Sequence, residues 1–340
     1  MAFNYQDTRA RVIDKATHLW EDNNRGLRAT SKVRALAWSL FRSILLIGVC
    51  FIIIYPILTM LSFAFRTQAD LTDPSIVWIP KEVTLQPIKD AFQALDYPNS
   101  LWNTLKICMV SSILQVATCS LAGYGFARFK FRFKGPLFAM VIFTIMVPPQ
   151  VVYTPTYLSY RHFNFFGIGS LIEWISGVDV SVNILDTMFV MWLPALLGVG
   201  IRSGLFIYIY RQFYRGLPKE LEDAAYIDGC GFAQTFLRVI IPNSKSSFLT
   251  VFLISTVWYW NDYYYTSMYF TNTMTLSTAL SQIGQLLKGV SGVGEMMLDA
   301  YAASSRVQAG CLLVILPMLI MYVFLQKHFT EGLERTGIVG

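Results

Sequence analysis

Charge is scarce in this chain. Asp, Glu, Lys and Arg together make up 14% of its 340 residues, while hydrophobic residues make up 54%. Soluble domains carry about a quarter charged residues, so the shortage excludes an ordinary water-soluble fold and puts the chain in a membrane. Histidine is almost absent: His18, His162 and His328 fall in different segments, which excludes a histidine-built metal site, and no metal ligand set is expected. The five cysteines, Cys50, Cys108, Cys119, Cys230 and Cys311, form no CxxC pair, and four lie in apolar runs. They read as packing residues and not as a disulfide framework or zinc site. No GxxxxGK[ST] loop occurs, nor any Gly-Lys dipeptide, so the chain has no loop to cradle nucleotide phosphates. No internal repeat is visible, which argues against a stand-alone secondary transporter. No His-carboxylate constellation is visible either, which argues against an intramembrane glycan-processing enzyme. The net charge of +6 is better read loop by loop than as an affinity for nucleic acid.

What is present is a series of long apolar runs. Six are long enough to cross ~30 Å of hydrocarbon as helices, near residues 43–65, 101–127, 136–158, 187–210, 246–270 and 307–326. The polar, Arg-rich stretch of residues 1–42 is far longer than the leading region of a signal peptide, so the first span is expected to stay as an anchor. Lys and Arg cluster before the first span (Arg9, Arg11, Lys15, Arg25, Arg28, Lys32, Arg34), in the second connection (Arg128, Lys130, Arg132, Lys134) and in the fourth (Arg211, Arg215, Lys219, Arg238, Lys245). By the positive-inside rule this alternation predicts both termini in the cytoplasm. Residues 66–100, with Pro74, Pro80, Pro87 and Pro98, read as an outer loop with at most short helices. Residues 159–186 have room for a short interfacial helix around Trp174. The predicted fold is all-α, with six transmembrane helices in one membrane domain (43–340) behind a cytoplasmic arm (1–42).

The most patterned segment lies between spans, in the connection 211–245. Pro218 suits a first helical turn, and Glu220, Glu222 and Asp223 put negative charge at the positive end of a helix dipole. Leu217, Leu221, Ala224 and Ala225 are placed on one face, where the paired alanines leave room for another surface. Asp228-Gly229 signals a turn, after which Phe232, Phe236, Val239 and Ile240 form a second apolar face ending at Pro242. Residues alone leave two readings: an amphipathic loop lying on the membrane, or a docking element.

ELEDAAYIDG (220–229) followed by VIIP (239–242) resembles the signature loop of ABC importer permeases. The matching positions are Asp223, Ala224, Ala225, Gly229, Val239, Ile241 and Pro242. There are two departures: Asp223 stands for the usual Glu, and Ile241 for the usual Leu. The shorter acid reaches one methylene less far, leaving Glu222 as the alternative partner for a salt bridge to an ATPase. SLWNTLKICMVSS and AGYGFARFKFRFKG (100–135), IMVPPQVVYTPTY (145–157), WYWNDYYY (258–265), MTLSTALSQI (274–283) and LQKHFTEGL (325–333) continue the likeness, in order, to carbohydrate-type permeases similar to the second maltose permease subunit. The arm before residue 40 and the long stretch 167–198 depart from that pattern.

The resemblance implies that the helix pair, with Glu222, Asp223, Ala224, Ala225, Asp228, Gly229 and Pro242, couples to a cytoplasmic ATPase that itself binds ATP and Mg. Closure of that ATPase would switch the membrane helices from inward-open to outward-open. Implied partners are a second homologous permease, two ATPase subunits, an extracytoplasmic solute-binding protein, a carbohydrate and lipid, in a bacterial or archaeal cytoplasmic membrane. Another small polar solute is the alternative cargo. No catalytic residue is expected.

Polar residues within the spans are candidates for the translocation path. Tyr259, Trp260, Asn261 and Asp262, in the middle of the fifth span beside Tyr263, Tyr264 and Tyr265, combine aromatic faces with amide and carboxylate groups suited to a glycan. The other reading of Asn261 and Asp262 is as hydrogen-bonded ties between helices. Asn103 and Gln115 in the second span are further candidates. Arg202 reads as snorkelling or paired, Gly200 and Gly204 as a helix-packing pair, and Pro148, Pro149 and Pro155 as a kink serving as a gate or an exit turn.

Overall fold

A computed structural model describes residues 5–178, 180–290, 292–293 and 299–337, with side chains from Arg34 to Phe324 and at Gln326. The side chains of the arm before Arg34, and all but Gln326 of the closing LQKHFTEGL motif, lie outside this description. The described residues are helical, with two isolated β-bridges, Arg66–Val83 and Phe163–Val182. The chain divides into two units, Met1–Ser62 and Phe63–Gly340. The first unit is helix, within Tyr5–Ala64, and exposes apolar side chains such as Ile44, Ile47 and Ile52.

Among the described residues, three helices are long and apolar enough to cross a membrane: Arg34–Ala64, Tyr97–Arg128 and Ala300–Phe324. Two sharply bent pairs bring the number to five where each is counted as one span: Lys134–Met146 with Pro149–Arg161, at 101°, and Phe232–Asn243 with Lys245–Trp260, at 80°. Of the six expected spans, the third is broken where the prolines predict it, and the fourth and fifth are broken as well. Pro148 and Pro149 break the third: a proline supplies no backbone N–H and drives the preceding residue extended, and Val147 has ψ 123° and Pro148 ψ 131°. The fourth is divided by Gly198 (φ 71°) and Arg202 (φ 59°) into Phe189–Leu196 and Ser203–Gly216, each shorter than the ~20 residues a span needs. The fifth stops at Trp260 and resumes as Tyr264–Tyr269.

Helix Tyr97–Arg128 is the axis of the second unit, packed against Ser203–Gly216, Lys245–Trp260 and Phe189–Leu196. Small residues let the backbones approach, as expected where lipid offers no hydrophobic drive between helices. A Cβ on Gly123 would lie 2.5 Å from the Cβ of Tyr210, and one on Gly204 would collide with Thr144. Polar side chains then fix the register. Gln115, fully buried, donates through Nε2 to the Ile201 carbonyl and to Ser203 Oγ, both at 2.7 Å, and accepts from Ser255 Oγ at 2.6 Å. Thr256 donates to Ser112 at 3.2 Å, and Thr118 to the Ala195 carbonyl at 2.9 Å.

The expected outer loop 66–100 holds the short helices Gln68–Thr72 and Gln86–Ala94. The second is pinned by a buried ion pair between Arg306 Nε and Asp90 Oδ2 at 2.8 Å, with Gln86 donating to Asp90 Oδ1 at 2.8 Å. The long stretch 167–198 contains helix Ile168–Ser176, with Trp174 83% exposed. Asp186 closes this region: its carboxylate accepts the backbone N–H groups of Thr271, Asn272 and Thr273 at 3.1–3.2 Å and the Asn272 side-chain amide at 2.6 Å.

Candidate functional site: a docking helix and a set of helix breaks

The signature segment folds as Glu220–Ile227, a turn, and Phe232–Asn243. Pro242 lies in the last turn and does not end it, since the helix reaches Asn243. Gly229 takes φ 79° just past the first helix. The N–H of Cys230 returns to the Ala225 carbonyl at 2.9 Å and that of Gly229 to Tyr226 at 3.1 Å, the Schellman closure that a left-handed glycine permits. A Cβ there would meet nothing within 4 Å, so the glycine serves backbone conformation and not close approach.

The helix Glu220–Ile227 has an inner and an outer face. Ala225 and Glu222 turn inward, 5% and 7% exposed, whereas Asp223, Ala224, Asp228 and Ile227 (86% exposed) turn out. The two alanines therefore do not share a face, because successive residues point about 100° apart on a helix. Glu222 is not a free partner for another protein: its Oε1 lies 2.6 Å from Arg128 Nε, with both side chains less than one-tenth exposed. Arg128 also donates to the Leu217 carbonyl at 2.8 Å. An ion pair this dry depends on both members, and removing one costs about 3–5 kcal/mol.

Aromatic packing roots the pair further. Tyr124 stacks on Phe232 with centroids 5.5 Å apart and meets Phe236 at 5.0 Å and Tyr214 at 5.6 Å. The second helix carries a π turn at Phe236–Ile240, which places Phe236 and Ile240 in the core. Sequence reasoning missed Arg128 as Glu222's partner and Ile227 as an outer-face residue. The second was findable, since Ile227 follows Ala224 by three positions.

The helix breaks converge elsewhere in the unit. A cavity of about 290 Å³ is lined by Val152 and Thr156 after the first break, by Gly200 and Ile201 in the second, and by Tyr259 and Tyr265 flanking the third. A Cβ on Gly200 would lie 2.5 Å from the Tyr259 hydroxyl. Tyr259 and Trp260 are buried in the core beside this cavity. Asn261 is exposed, with its amide donating to the Val257 carbonyl at 3.0 Å, which closes the end of helix Lys245–Trp260. Asp262 accepts from the N–H of Thr266 at 2.9 Å and of Tyr265 at 3.4 Å, opening the next helix, while its carbonyl accepts from Ser277 Oγ at 2.6 Å. Both residues thus stand at a helix interruption and not within a continuous span. Asn103 is half-buried and donates to the Met274 carbonyl at 3.1 Å. The hydrogen-bonding groups of Gln115 are spent on the interhelical ties described above. Among the described residues, no three of His, Cys, Asp and Glu gather to hold a metal.

A helical membrane unit with broken spans around one cavity and a separate exposed helix pair has the organisation of a transport subunit. Residues 119–334 match the family described as binding-protein-dependent transport system inner membrane component, and the chain belongs to that family. Protein LplC of Bacillus subtilis is 27% identical over 86% of this chain and 92% of its own length. The lactose transport system permease protein LacG of Rhizobium radiobacter is 24% identical over 83% of this chain and 90% of its own. The crystal structure of a bacterial ABC transporter involved in import of the acidic polysaccharide alginate contains a chain of the same fold, with TM-score 0.68 at 18% identity, covering 86% of this chain and 96% of that one.

Proposed function

We propose that this chain is one of two different permease subunits of an ATP-driven importer of an oligosaccharide or glycoside. In this reading it sits in a bacterial or archaeal cytoplasmic membrane with both termini inside. Counted with the divided fourth segment, its spans make six crossings. A second permease, two ATPase subunits holding ATP and Mg, and an extracytoplasmic binding protein complete the assembly.

One observation carries the mechanism: a single helix, Tyr97–Arg128, is ion-paired at Arg128 to the docking helix and hydrogen-bonded at Gln115 to the break around Ile201. Thirteen residues separate those points, about 20 Å along a helix. A push on Glu220–Ile227 therefore reaches the broken spans through a stiff element and not through a loop. Asp223, Ala224 and Ile227 form the face that meets the ATPase, and the breaks are where the path opens and closes, as interrupted helices do in other transporters. Tyr259, Trp260, Asn261 and Asp262 contribute to that path. The sugar cargo is supported by the lactose permease among its relatives and by exposed tyrosines beside the amide and carboxylate of Asn261 and Asp262.

The test is capture of the tagged chain from its native membrane in mild detergent, with mass spectrometry, an ATPase assay, and a glycan panel screened against the recovered binding protein. A second permease and an ATPase are expected in the eluate. Asp223→Arg is expected to abolish uptake and substrate-stimulated ATP hydrolysis while leaving membrane insertion intact. A chain recovered alone after crosslinking, or wild-type uptake by the variant, would refute the proposal.

A further inference from the structure

Arg202 stands where an arginine is costly to keep. It ends the break between Phe189–Leu196 and Ser203–Gly216, with φ 59°, in the left-handed region that residues other than glycine rarely adopt. Gln115 ties down the residue on either side of it, through the backbone carbonyl of Ile201 and the side-chain hydroxyl of Ser203. The guanidinium lies over the Trp258 ring, 4.8 Å from its centroid. The neighbouring Ile201 lines the cavity together with Tyr265, whose ring packs on that of Tyr153. Those two rings meet edge to face at 4.6 Å, and Tyr264 stacks on Tyr153 at 6.0 Å.

Among the described residues, no carboxylate lies within ion-pair distance of Arg202. Asp262, the acid near the same tyrosines, has its oxygens turned to the N–H groups of Tyr265 and Thr266. A charged side chain within a spanning segment normally finds an opposite charge or marks a substrate path, and strained backbone persists where surrounding structure enforces it for a purpose. A guanidinium resting on indole keeps its forked N–H donors for a planar anion, and the fork matches a carboxylate with two parallel hydrogen bonds. The flanking tyrosine rings offer flat faces for sugar rings.

We propose that Arg202, resting on Trp258 at the helix breaks, is the anion-reading residue of the translocation path, and that the carried glycan bears a carboxylate, as a uronic acid unit does. This rests on the carbohydrate-importer reading above and narrows it to acidic glycans. The break then has a reason for its left-handed arginine: the conformation holds the side chain against Trp258, and Gln115 fixes the conformation.

The experiment uses the whole transporter, with its binding protein, in liposomes supplied with ATP on the ATPase side. Import of digalacturonate is compared with that of its neutral counterpart galactobiose in wild type, Arg202→Gln and Arg202→Lys. Losing a charge-assisted pair is expected to shift the digalacturonate-to-galactobiose import ratio about tenfold or more toward the neutral sugar in Arg202→Gln, with partial recovery in Arg202→Lys. An equal loss for both sugars, or disappearance of the second permease from the purified variant, would overturn the proposal, assigning Arg202 to a structural contact. So would a wild type that imports galactobiose and excludes digalacturonate. If wild type imports neither, thermal unfolding of the complex with millimolar digalacturonate decides: protection of wild type but not Arg202→Gln supports the proposal, and no protection overturns it. Absence of an ATPase from the preparation would instead strike the importer reading itself.

Discussion

Glu222 and Asp223 are adjacent acids with opposite fates. The first is sealed against Arg128 and the second faces outward, so exchanging their roles is not tolerated by the geometry. Glu222→Ala and Arg128→Ala are each expected to destabilise the docking helix by about 3–5 kcal/mol, leaving a buried charge without its partner. The reversed pair, Arg128→Glu with Glu222→Arg, is expected to recover part of the loss. Thermal unfolding of the detergent-purified chain, together with the number of ATP molecules hydrolysed per substrate imported, measures it. Wild-type stability in either single variant would show that the pair is not what roots the helix. Sequence alone made both acids candidates for a salt bridge to the ATPase, because the partner that removes Glu222 from the surface is remote along the chain and only tertiary packing brings it near. Gly229 was more legible. A glycine just past the capping residue of a short helix announces the left-handed closure that the structure contains.

At the scale of elements, the outer stretch 167–198 is held by one carboxylate. Partial burial pushes the Asp186 pKa up, but the Asn272 side chain and then the N–H groups of Asn272, Thr273 and Thr271 favour the ionised form more, and the balance leaves it below the ordinary carboxylate value. A lowered native pKa stabilises at pH above the unfolded value and loses that contribution as pH falls through the folded one. The clamp is therefore expected to be indifferent to pH from neutrality to mild acid and to weaken only below the usual aspartate range. Hydrogen exchange at the amides of Thr271, Asn272 and Thr273 reads this directly, and Asp186→Asn is expected to raise their exchange at neutral pH. Equal protection in that variant would remove Asp186 from the role.

Helix breaks were unevenly legible. Pro148-Pro149 marks its own break because the ring forbids continuation, whereas 187–210 reads as one unbroken apolar run in which Gly198 and Arg202 look like packing and snorkelling residues. Asn261 and Asp262 stood out by polarity, but their work of closing one helix and opening the next depends on Thr266 and Ser277, which carry no mark in the sequence.

For the whole molecule, the proposed coupling through helix Tyr97–Arg128 predicts that accessibility of the breaks follows the state of the ATPase. A cysteine placed at Tyr264, exposed beside Tyr153, is expected to react faster with a membrane-impermeant maleimide added outside when the transporter is trapped with a non-hydrolysable ATP analogue. An unchanged rate would separate the breaks from the docking helix. The all-α class and the helix pair within 220–243 were open to reading because apolar run length and turn chemistry are local properties. The divisions of the fourth and fifth segments were not, since they depend on which segments touch.

The interrupted spans also bear on how the protein is made. A continuous apolar helix can leave the ribosome and enter lipid with its own backbone satisfied, but a bent or divided one carries free carbonyls and N–H groups at its break. The 197–202 segment finds a partner in Gln115, on a helix synthesised earlier. Translation order is thus expected to matter: Tyr97–Arg128 emerges before the broken segments it satisfies, and a chain with the order of these segments permuted is expected to present them to lipid with nothing to receive them.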